Sequence, residues 1–251
     1  MNRRFPLTLG FVVAAFNVAT IPFLPRDFAI AQVPWMIAVV PMFVVGALLM
    51  SRAQWNAIGP LLFLIAVLGS FGNIPGLAAR PGGQWFGPTG AALSTFGVSL
   101  LPLVVLLFPD GGLPSSRWRP VKWMIIGTAS LGAAMGFLTG GWGGDTSQVI
   151  RPGFLYEQTR TITEVGQVTF FTLFALSILA AVASIFVRYA RGSVVIRHQI
   201  RWLLVGAATL AVVVLLVFTT SGLPGVAAGW TAFALGAGMA MIPTAIGVAV
   251  L

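Results

Sequence analysis

The chain has 251 residues, of which 58% are hydrophobic and only 8% charged, and its mean hydropathy is +0.97. Soluble domains carry about a quarter charged residues, so this composition excludes a water-soluble globular protein and predicts an integral membrane protein. The chain has no cysteine, which excludes disulfides and cysteine-ligated metals, and its net charge is +9.

Eight apolar segments follow one another along the chain, separated by prolines, glycines and charged residues. Each is close to the ~20 residues that cross a bilayer as a helix. The segments are apolar on all sides, unlike the alternating strands of a membrane barrel. The sequence therefore predicts an all-α, polytopic membrane helical bundle that forms a single domain over residues 1–251. The segments run approximately Pro6–Leu24, Pro34–Met50, Ile58–Ala79, Thr89–Phe108, Val121–Thr139, Val165–Val187, Ile200–Thr220 and Gly229–Leu251.

The first segment follows two arginines, as the core of a signal peptide does. The apolar run from Leu7 to Leu24 is longer than a signal core and has no clear small-residue cleavage site. We therefore interpret it as a retained first helix.

Helix-breaking residues predict irregularities in the middle segments. Pro41 and Pro102 predict kinks in the second and fourth helices, because each removes a backbone hydrogen bond. The stretch from Gly140 to Glu164 is predicted to be the longest outside loop. The outer end of the third segment is expected to bend or unwind, because it contains Gly69, Gly72, Pro75 and Gly76.

The distribution of basic residues predicts the orientation of the helices. If the N-terminus is inside, ten of the 14 basic residues lie on the cytoplasmic side, where basic residues are retained. The sequence thus predicts a multi-pass protein of the plasma (inner) membrane with both termini cytoplasmic. This topology explains the positive charge without nucleic acid as a partner. The inside residues are Arg3, Arg4, Arg52, Arg117, Arg119, Lys122, Arg188, Arg191, Arg197 and Arg201.

Catalytic and cofactor-binding patterns are missing from the sequence. The single histidine, His198, has no cluster of metal-ligating residues around it, and no P-loop or nucleophile elbow occurs. Ionisable residues are almost absent from the segments, which argues against an ion-coupled transporter. We therefore predict no cofactor, no metal site and no catalytic residue in this chain.

Polar and small residues inside the segments predict helix packing. Residues such as Ser94 and Thr95 are expected to form helix–helix hydrogen bonds, with a small-molecule pocket as the alternative. Gly132 and Gly136 form a GxxxG pattern that permits close helix contact and leaves a homodimer open.

The first candidate site is a turn on the predicted cytoplasmic side, between the fourth and fifth segments. Pro-Asp-Gly builds tight turns, because aspartate accepts local backbone hydrogen bonds and glycine tolerates positive φ. Asp110 is expected to pair with Arg117 or Arg119. The turn residues of interest are Pro109, Asp110, Gly111, Arg117, Trp118 and Arg119.

The second candidate site is a cytoplasmic basic loop before the seventh segment. Such a loop is typical of an anchor on anionic lipid headgroups of the bilayer. Its histidine is interpreted as an interfacial polar side chain, with a pH-responsive role as the alternative. The loop residues are Arg188, Arg191, Arg197, His198, Arg201 and Trp202.

Four segments together resemble the N-terminal membrane region of actinobacterial-type two-component sensor histidine kinases. The stretch from Leu107 to Val121, LFPDGGLPSSRWRPV, resembles a turn of that region. The other three similar stretches are 45–59 around the second-to-third helix junction, 191–203 before the penultimate helix, and 242–251 at the end of the last helix. The chain departs from the pattern at Gly112, where the family would have arginine, and at 53–55, which is less basic.

The resemblance implies a sensory input region that passes a membrane or extracellular signal to a cytoplasmic output domain. It also implies that a dimerising, ATP-binding kinase region follows, so the chain is expected to be part of a longer protein. His198 does not match the phosphorylated helix of the family. The alternative is a stand-alone membrane protein, either a transporter with a cavity lined by Asn17, Asn73 and Gln167 or a structural subunit of a membrane complex. A membrane enzyme acting on lipids is disfavoured, because no paired carboxylates or histidine cluster occur.

Overall fold

The computed structural model describes residues 26–52, 56–71, 86–139, 153–220 and 228–250, together with Thr8, Phe11, Val12 and Ala15. These residues form helices and turns, with no strand among them, so the all-α prediction is confirmed for this part of the chain. The helices are α1 (Arg26–Arg52), α2 (Ile58–Phe71), α3 (Phe86–Ser99), α4 (Leu101–Leu107), a 3₁₀ turn (Ser116–Trp118), α5 (Arg119–Thr139), α6 (Gly153–Arg191), α7 (Val194–Thr220) and α8 (Ala228–Val250).

Three helical stretches of the described residues are long and apolar enough to cross a membrane: Pro88–Leu107, Ser116–Thr139 and Thr161–Arg191. Shorter apolar helices lie at 38–51, 58–71 and 236–250. These helices are compatible with a membrane protein. The eight crossings and the cytoplasmic location of both termini remain predictions. Most of the first predicted segment, the outer end of the third and the glycine-rich stretch 140–144 lie outside the described residues.

The fourth predicted segment is interrupted, as its proline suggested. Helix α3 ends at Ser99 and α4 begins at Leu101, one residue before Pro102. The carbonyl oxygen of Leu100 accepts hydrogen bonds from the Leu103 N–H at 2.9 Å and the Val104 N–H at 3.4 Å. Pro102 has no N–H to donate, which accounts for the break at this position. Helix α1 is continuous through Pro41, where a kink remains a prediction.

Three predicted loops are shorter than expected. Helix α1 begins at Arg26, eight residues before the predicted start of the second segment at Pro34. The outside loop was placed at residues 140–164, but α6 begins at Gly153, because no proline or glycine interrupts 154–165 and the helix can continue. The basic loop also proves largely helical. Helix α6 ends at Arg191 and α7 begins at Val194, so only Gly192 and Ser193 connect them.

The described residues fall into two compact units. The first comprises residues 1–66, 108–112 and 187–251, and the second comprises 67–107 and 113–186. In the first unit, α8 packs against α7 and α1. In the second unit, α3 packs against α5.

Two glycines bring α1 and α2 into backbone contact in the first unit. A Cβ on Gly46 would lie 2.9 Å from the Phe63 amide nitrogen and 3.0 Å from the Gly59 carbonyl oxygen. A Cβ on Gly59 would lie 3.0 Å from the Met50 amide nitrogen. Real Cβ atoms do not approach backbone as closely as 2.9 Å, so this crossing requires glycine at Gly46, and it leaves little room for a side chain at Gly59.

The GxxxG pattern packs within the chain. In the second unit, Gly132 lies against the ring of Phe170, and a Cβ on Gly136 would lie 2.9 Å from both the Ala91 carbonyl oxygen and the Thr95 hydroxyl. These contacts occupy the small-residue face. The GxxxG pattern therefore gives no support to a homodimer. The homodimer remains a prediction.

Large apolar side chains are exposed along α6, whereas several of its buried side chains are polar. Val168 is 68% exposed and Leu179 is 64% exposed, whereas Ser177 and Ser184 are fully buried. Soluble monomers rarely expose contiguous apolar surface of this kind, and a lipid-facing helix does so as a rule. Both serines donate to carbonyls of their own helix.

Candidate functional site at the Pro-Asp-Gly turn

The chain reverses direction at Phe108–Gly112, directly after α4. Phe108 is fully buried, and the peptide bond between Phe108 and Pro109 is cis. Asp110 Oδ1 accepts a hydrogen bond from the Gly112 N–H at 3.3 Å, and Gly111 has a φ of +78°. The predicted tight turn, with aspartate as a local acceptor and glycine at positive φ, is confirmed.

Asn56 joins this turn to the start of α2. Its Oδ1 accepts a hydrogen bond from the Ile58 N–H at 2.9 Å, which caps the helix. Its Nδ2 donates to the Pro109 carbonyl oxygen at 3.2 Å. One side chain therefore caps a helix and holds a turn 53 residues further along the chain.

Gly111 is packed directly against the same junction. A Cβ at this position would lie 2.7 Å from the Ala57 amide nitrogen and 2.8 Å from Asn56 Oδ1. Side chains also disfavour its left-handed backbone conformation. Both the conformation and the available space therefore require glycine here.

Arg188, in the last turn of α6, completes the arrangement. Its Nη1 lies 2.7 Å from Asp110 Oδ1, and its Nη2 donates to the Gly112 carbonyl oxygen. The Arg188 side chain is 9% exposed and that of Asp110 is 61% exposed. The forked guanidinium group binds a carboxylate and a carbonyl at once, a geometry that lysine could not provide. We call Asn56, Pro109, Asp110, Gly111, Gly112 and Arg188 the turn cluster.

The expected pairing of Asp110 with Arg117 or Arg119 is wrong, because Arg188 is its partner. Sequence proximity suggested the nearer arginines. Arg117 lies in the 3₁₀ turn and Arg119 begins α5, and both side chains are exposed. These two arginines and the half-buried Trp118 belong to the second compact unit and are not part of the turn cluster.

The second candidate site is split into separate contacts. Arg197 donates from Nε to the Tyr189 carbonyl oxygen at 3.2 Å, and its guanidinium carbon lies 5.8 Å from the centre of the Tyr189 ring. It thereby satisfies a carbonyl near the end of α6. The Trp202 indole N–H donates to His198 Nε2 at 3.1 Å, one turn apart on α7.

The remaining basic residues of this segment are exposed. Arg191 ends α6, and Arg201 lies in the second turn of α7. Arg188 differs from both, because its side chain is buried in the turn cluster and is not available to headgroups. The six residues predicted as one basic loop thus have four different environments.

The sequence predicted no role for Asn56 or for Tyr189. Asn56 directly precedes an apolar helix, so its capping role could have been predicted. Its bond to Pro109 and the Arg197–Tyr189 contact join segments through tertiary structure, and no local pattern signals either contact.

The turn cluster holds three segments of the first compact unit together. Among the described residues, no group of three or more His, Asp or Glu side chains could hold a metal ion. Comparisons of the chain with protein-family models, curated proteins and solved structures gave no match. The functional argument therefore rests on the chain's own residues.

Proposed function

We propose that this chain is the membrane-embedded input region of a two-component sensor histidine kinase. The supporting observation is that segments carrying the resemblance, although distant in sequence, meet in the turn cluster. Asn56 comes from the 45–59 stretch, and Pro109, Asp110 and Gly111 come from the LFPDGG turn. Arg188 adds the end of α6, three residues before the 191–203 stretch.

The fourth stretch lies in the same compact unit. A Cβ on Gly247 would lie 2.9 Å from a Val45 methyl carbon, which joins the end of α8 to α1. A Cβ on Gly206 would lie 2.9 Å from the Ala245 Cβ and from the Met241 carbonyl oxygen, which joins α7 to α8. Residues of the resembling stretches therefore pack together within the first compact unit.

In this proposal, a signal in the bilayer or at its outer face changes the packing of the helices. The last helix, α8, transmits the change to a dimeric cytoplasmic output. Such a device needs two packings of similar free energy. Pro243 lies inside α8 and removes one backbone hydrogen bond there, which lowers the resistance of that helix to bending.

The first test is to determine the DNA sequence beyond the codon for Leu251. A frame that continues into a linker, a phosphoacceptor histidine and an ATP-binding domain supports the proposal. The full-length protein in membrane vesicles should then autophosphorylate from ATP. A stop codon at that point, with no kinase gene beside it, would remove the main support and favour the stand-alone alternative.

A second test addresses orientation, and the absence of cysteine makes it free of background labelling. In intact cells, a membrane-impermeant maleimide should fail to label Ser115→Cys in the exposed segment before α5. It should label Gly143→Cys in the predicted outside loop. The opposite pattern would reverse the proposed topology while leaving the helical fold untouched.

The transporter alternative predicts a substrate cavity lined by three polar side chains. Of these residues, Gln167 is half-buried on α6, and Asn17 and Asn73 lie outside the described residues. A terminating reading frame would favour this alternative.

A further inference from the structure

One face of α7 is exposed along most of the helix. Exposed positions recur at intervals of three and four residues, which places them on one side of an α-helix. The opposite side is buried at Ile200, Leu203 and Gly206, and α8 packs against this helix. The exposed side chains of α7 include Val194, Arg197, His198, Arg201, Trp202, Val205, Val212, Leu215 and Leu216.

The chemistry of this face changes along the helix axis. Its first two turns carry arginines, then an indole follows at Trp202, and from Val205 onward the exposed side chains named above are apolar. From Trp202 to Thr220 the helix rises about 27 Å at 1.5 Å per residue, close to the ~30 Å of a hydrocarbon core. Basic, aromatic and then apolar is the order met from the headgroups to the acyl chains.

The countercharge for these arginines is not supplied by this part of the chain. No acidic residue follows Glu164 in the sequence, whereas Arg188, Arg191, Arg197 and Arg201 all do. Asp110 is bound by Arg188, which is itself largely buried. Arg197 donates to a backbone carbonyl. Arg191 and Arg201 are exposed, so their guanidinium groups are accessible to an anionic partner.

We propose that Arg191, Arg201 and Trp202 form a binding surface for anionic phospholipids of the bilayer. The two guanidinium groups bind lipid phosphate, for which their planar fork is suited. The indole lies at the level of the interface, with its N–H oriented by His198. This assignment separates lipid-binding arginines from the structural Arg188, and it does not depend on a kinase output.

The experiment measures contact between Trp202 and lipid by quenching with brominated phospholipids. The full chain is placed in bilayers that contain either dibromo-phosphatidylglycerol or dibromo-phosphatidylcholine. The contribution of Trp202 is the difference between the wild-type protein and Trp202→Phe. We expect stronger quenching of Trp202 by the anionic lipid, and expect Arg191→Gln with Arg201→Gln to weaken that preference by about fivefold per arginine.

Two variants make the result specific. Arg191→Lys with Arg201→Lys keeps the charge but loses the planar fork, so it should retain only part of the preference. Arg117→Gln with Arg119→Gln removes two other exposed arginines and should leave the preference of Trp202 unchanged. An equal loss in this control would show that only net charge matters and would overturn the proposed surface.

The wild-type protein gives two further decisive outcomes. Equal quenching of Trp202 by both lipids would overturn the preference for anionic lipid. No quenching by either lipid would show that protein, such as a second copy of the chain, covers this face of α7, and it would overturn the lipid assignment altogether.

Discussion

Polar side chains are used differently inside the helices and in the turn cluster. Within helices, hydroxyl groups donate to carbonyls one turn earlier, as Thr128 does to Met124 at 2.8 Å and Thr244 to Ala240 at 2.7 Å. In the turn cluster, the bonds that Asn56 and Arg188 donate join residues that are 53 to 78 positions apart.

This difference shows where the structure resists rearrangement. If two helices shift against each other, the hydroxyl bonds within each helix survive. If the end of α6 moves, the bonds of Arg188 to Asp110 and to the Gly112 carbonyl must break together. The turn cluster thus fixes which segments are neighbours, while the helices depend on close packing at glycines.

The largest expected effect comes from Gly111→Ala. The new Cβ would strain a backbone at φ +78° and collide with the Ala57 amide. We expect the free energy of unfolding to fall by about 3 kcal/mol. Circular dichroism during unfolding in mixed micelles measures this change.

The neighbouring glycine provides the control for this prediction. A Cβ on Gly112 would meet only the Asp110 carboxylate oxygens, at 4.0 Å. Gly112→Ala should therefore change stability by less than about 0.5 kcal/mol. Equal effects at both glycines would show that the turn is not packed against the start of α2.

The next effect concerns packing between helices. Gly46→Ala should cost about 2 kcal/mol, because α1 must withdraw from the Phe63 backbone. Gly127→Ala on α5 is its control, since nothing lies within 4 Å of a Cβ there. That variant should be neutral or stabilising by up to about 1 kcal/mol. Thermal unfolding of both proteins in one detergent tests the contrast, and a stable Gly46→Ala protein would contradict the crossing.

The sequence predicted the positions of several helices better than the contacts between segments. Apolar runs and prolines located the helix break near Pro102 and the end of α5, because these features depend on local chemistry. The sequence does not predict the start of α6, because the polar residues in 153–164 are typical of a loop although they form a helix here. The turn at Asp110 was predicted, but its partner was not, because Arg188 is 78 residues away.

A smaller effect should follow from loss of the ion pair. Arg188→Gln is expected to lower the free energy of unfolding by about 1.5 kcal/mol, because the largely buried guanidinium group makes two bonds. Arg191→Gln, at an exposed position of the same helix, should change it by less than about 0.5 kcal/mol.

A double-mutant cycle with Asp110→Asn isolates the ion pair itself. The coupling energy should be about 1 kcal/mol or less, because the carboxylate is mostly exposed to solvent. Zero coupling would mean that Arg188 acts through the Gly112 carbonyl alone.

The smallest effect is expected for Asn56→Asp. This change keeps the oxygen that caps α2 and removes the N–H donor to Pro109, so stability should fall by about 1 kcal/mol. Asn56→Ala removes both contacts and should cost about twice as much. If the two variants unfold at the same denaturant concentration, the bond to Pro109 contributes nothing measurable.

The two-residue connection between α6 and α7 has a mechanical consequence. Two extended residues span at most about 7 Å, and Gly192 is packed against the Arg188 carbonyl and Ile196, so the connection has no slack. A displacement of the last turn of α6, from Val187 to Arg191, by more than a few ångströms must therefore carry the first turn of α7 with it.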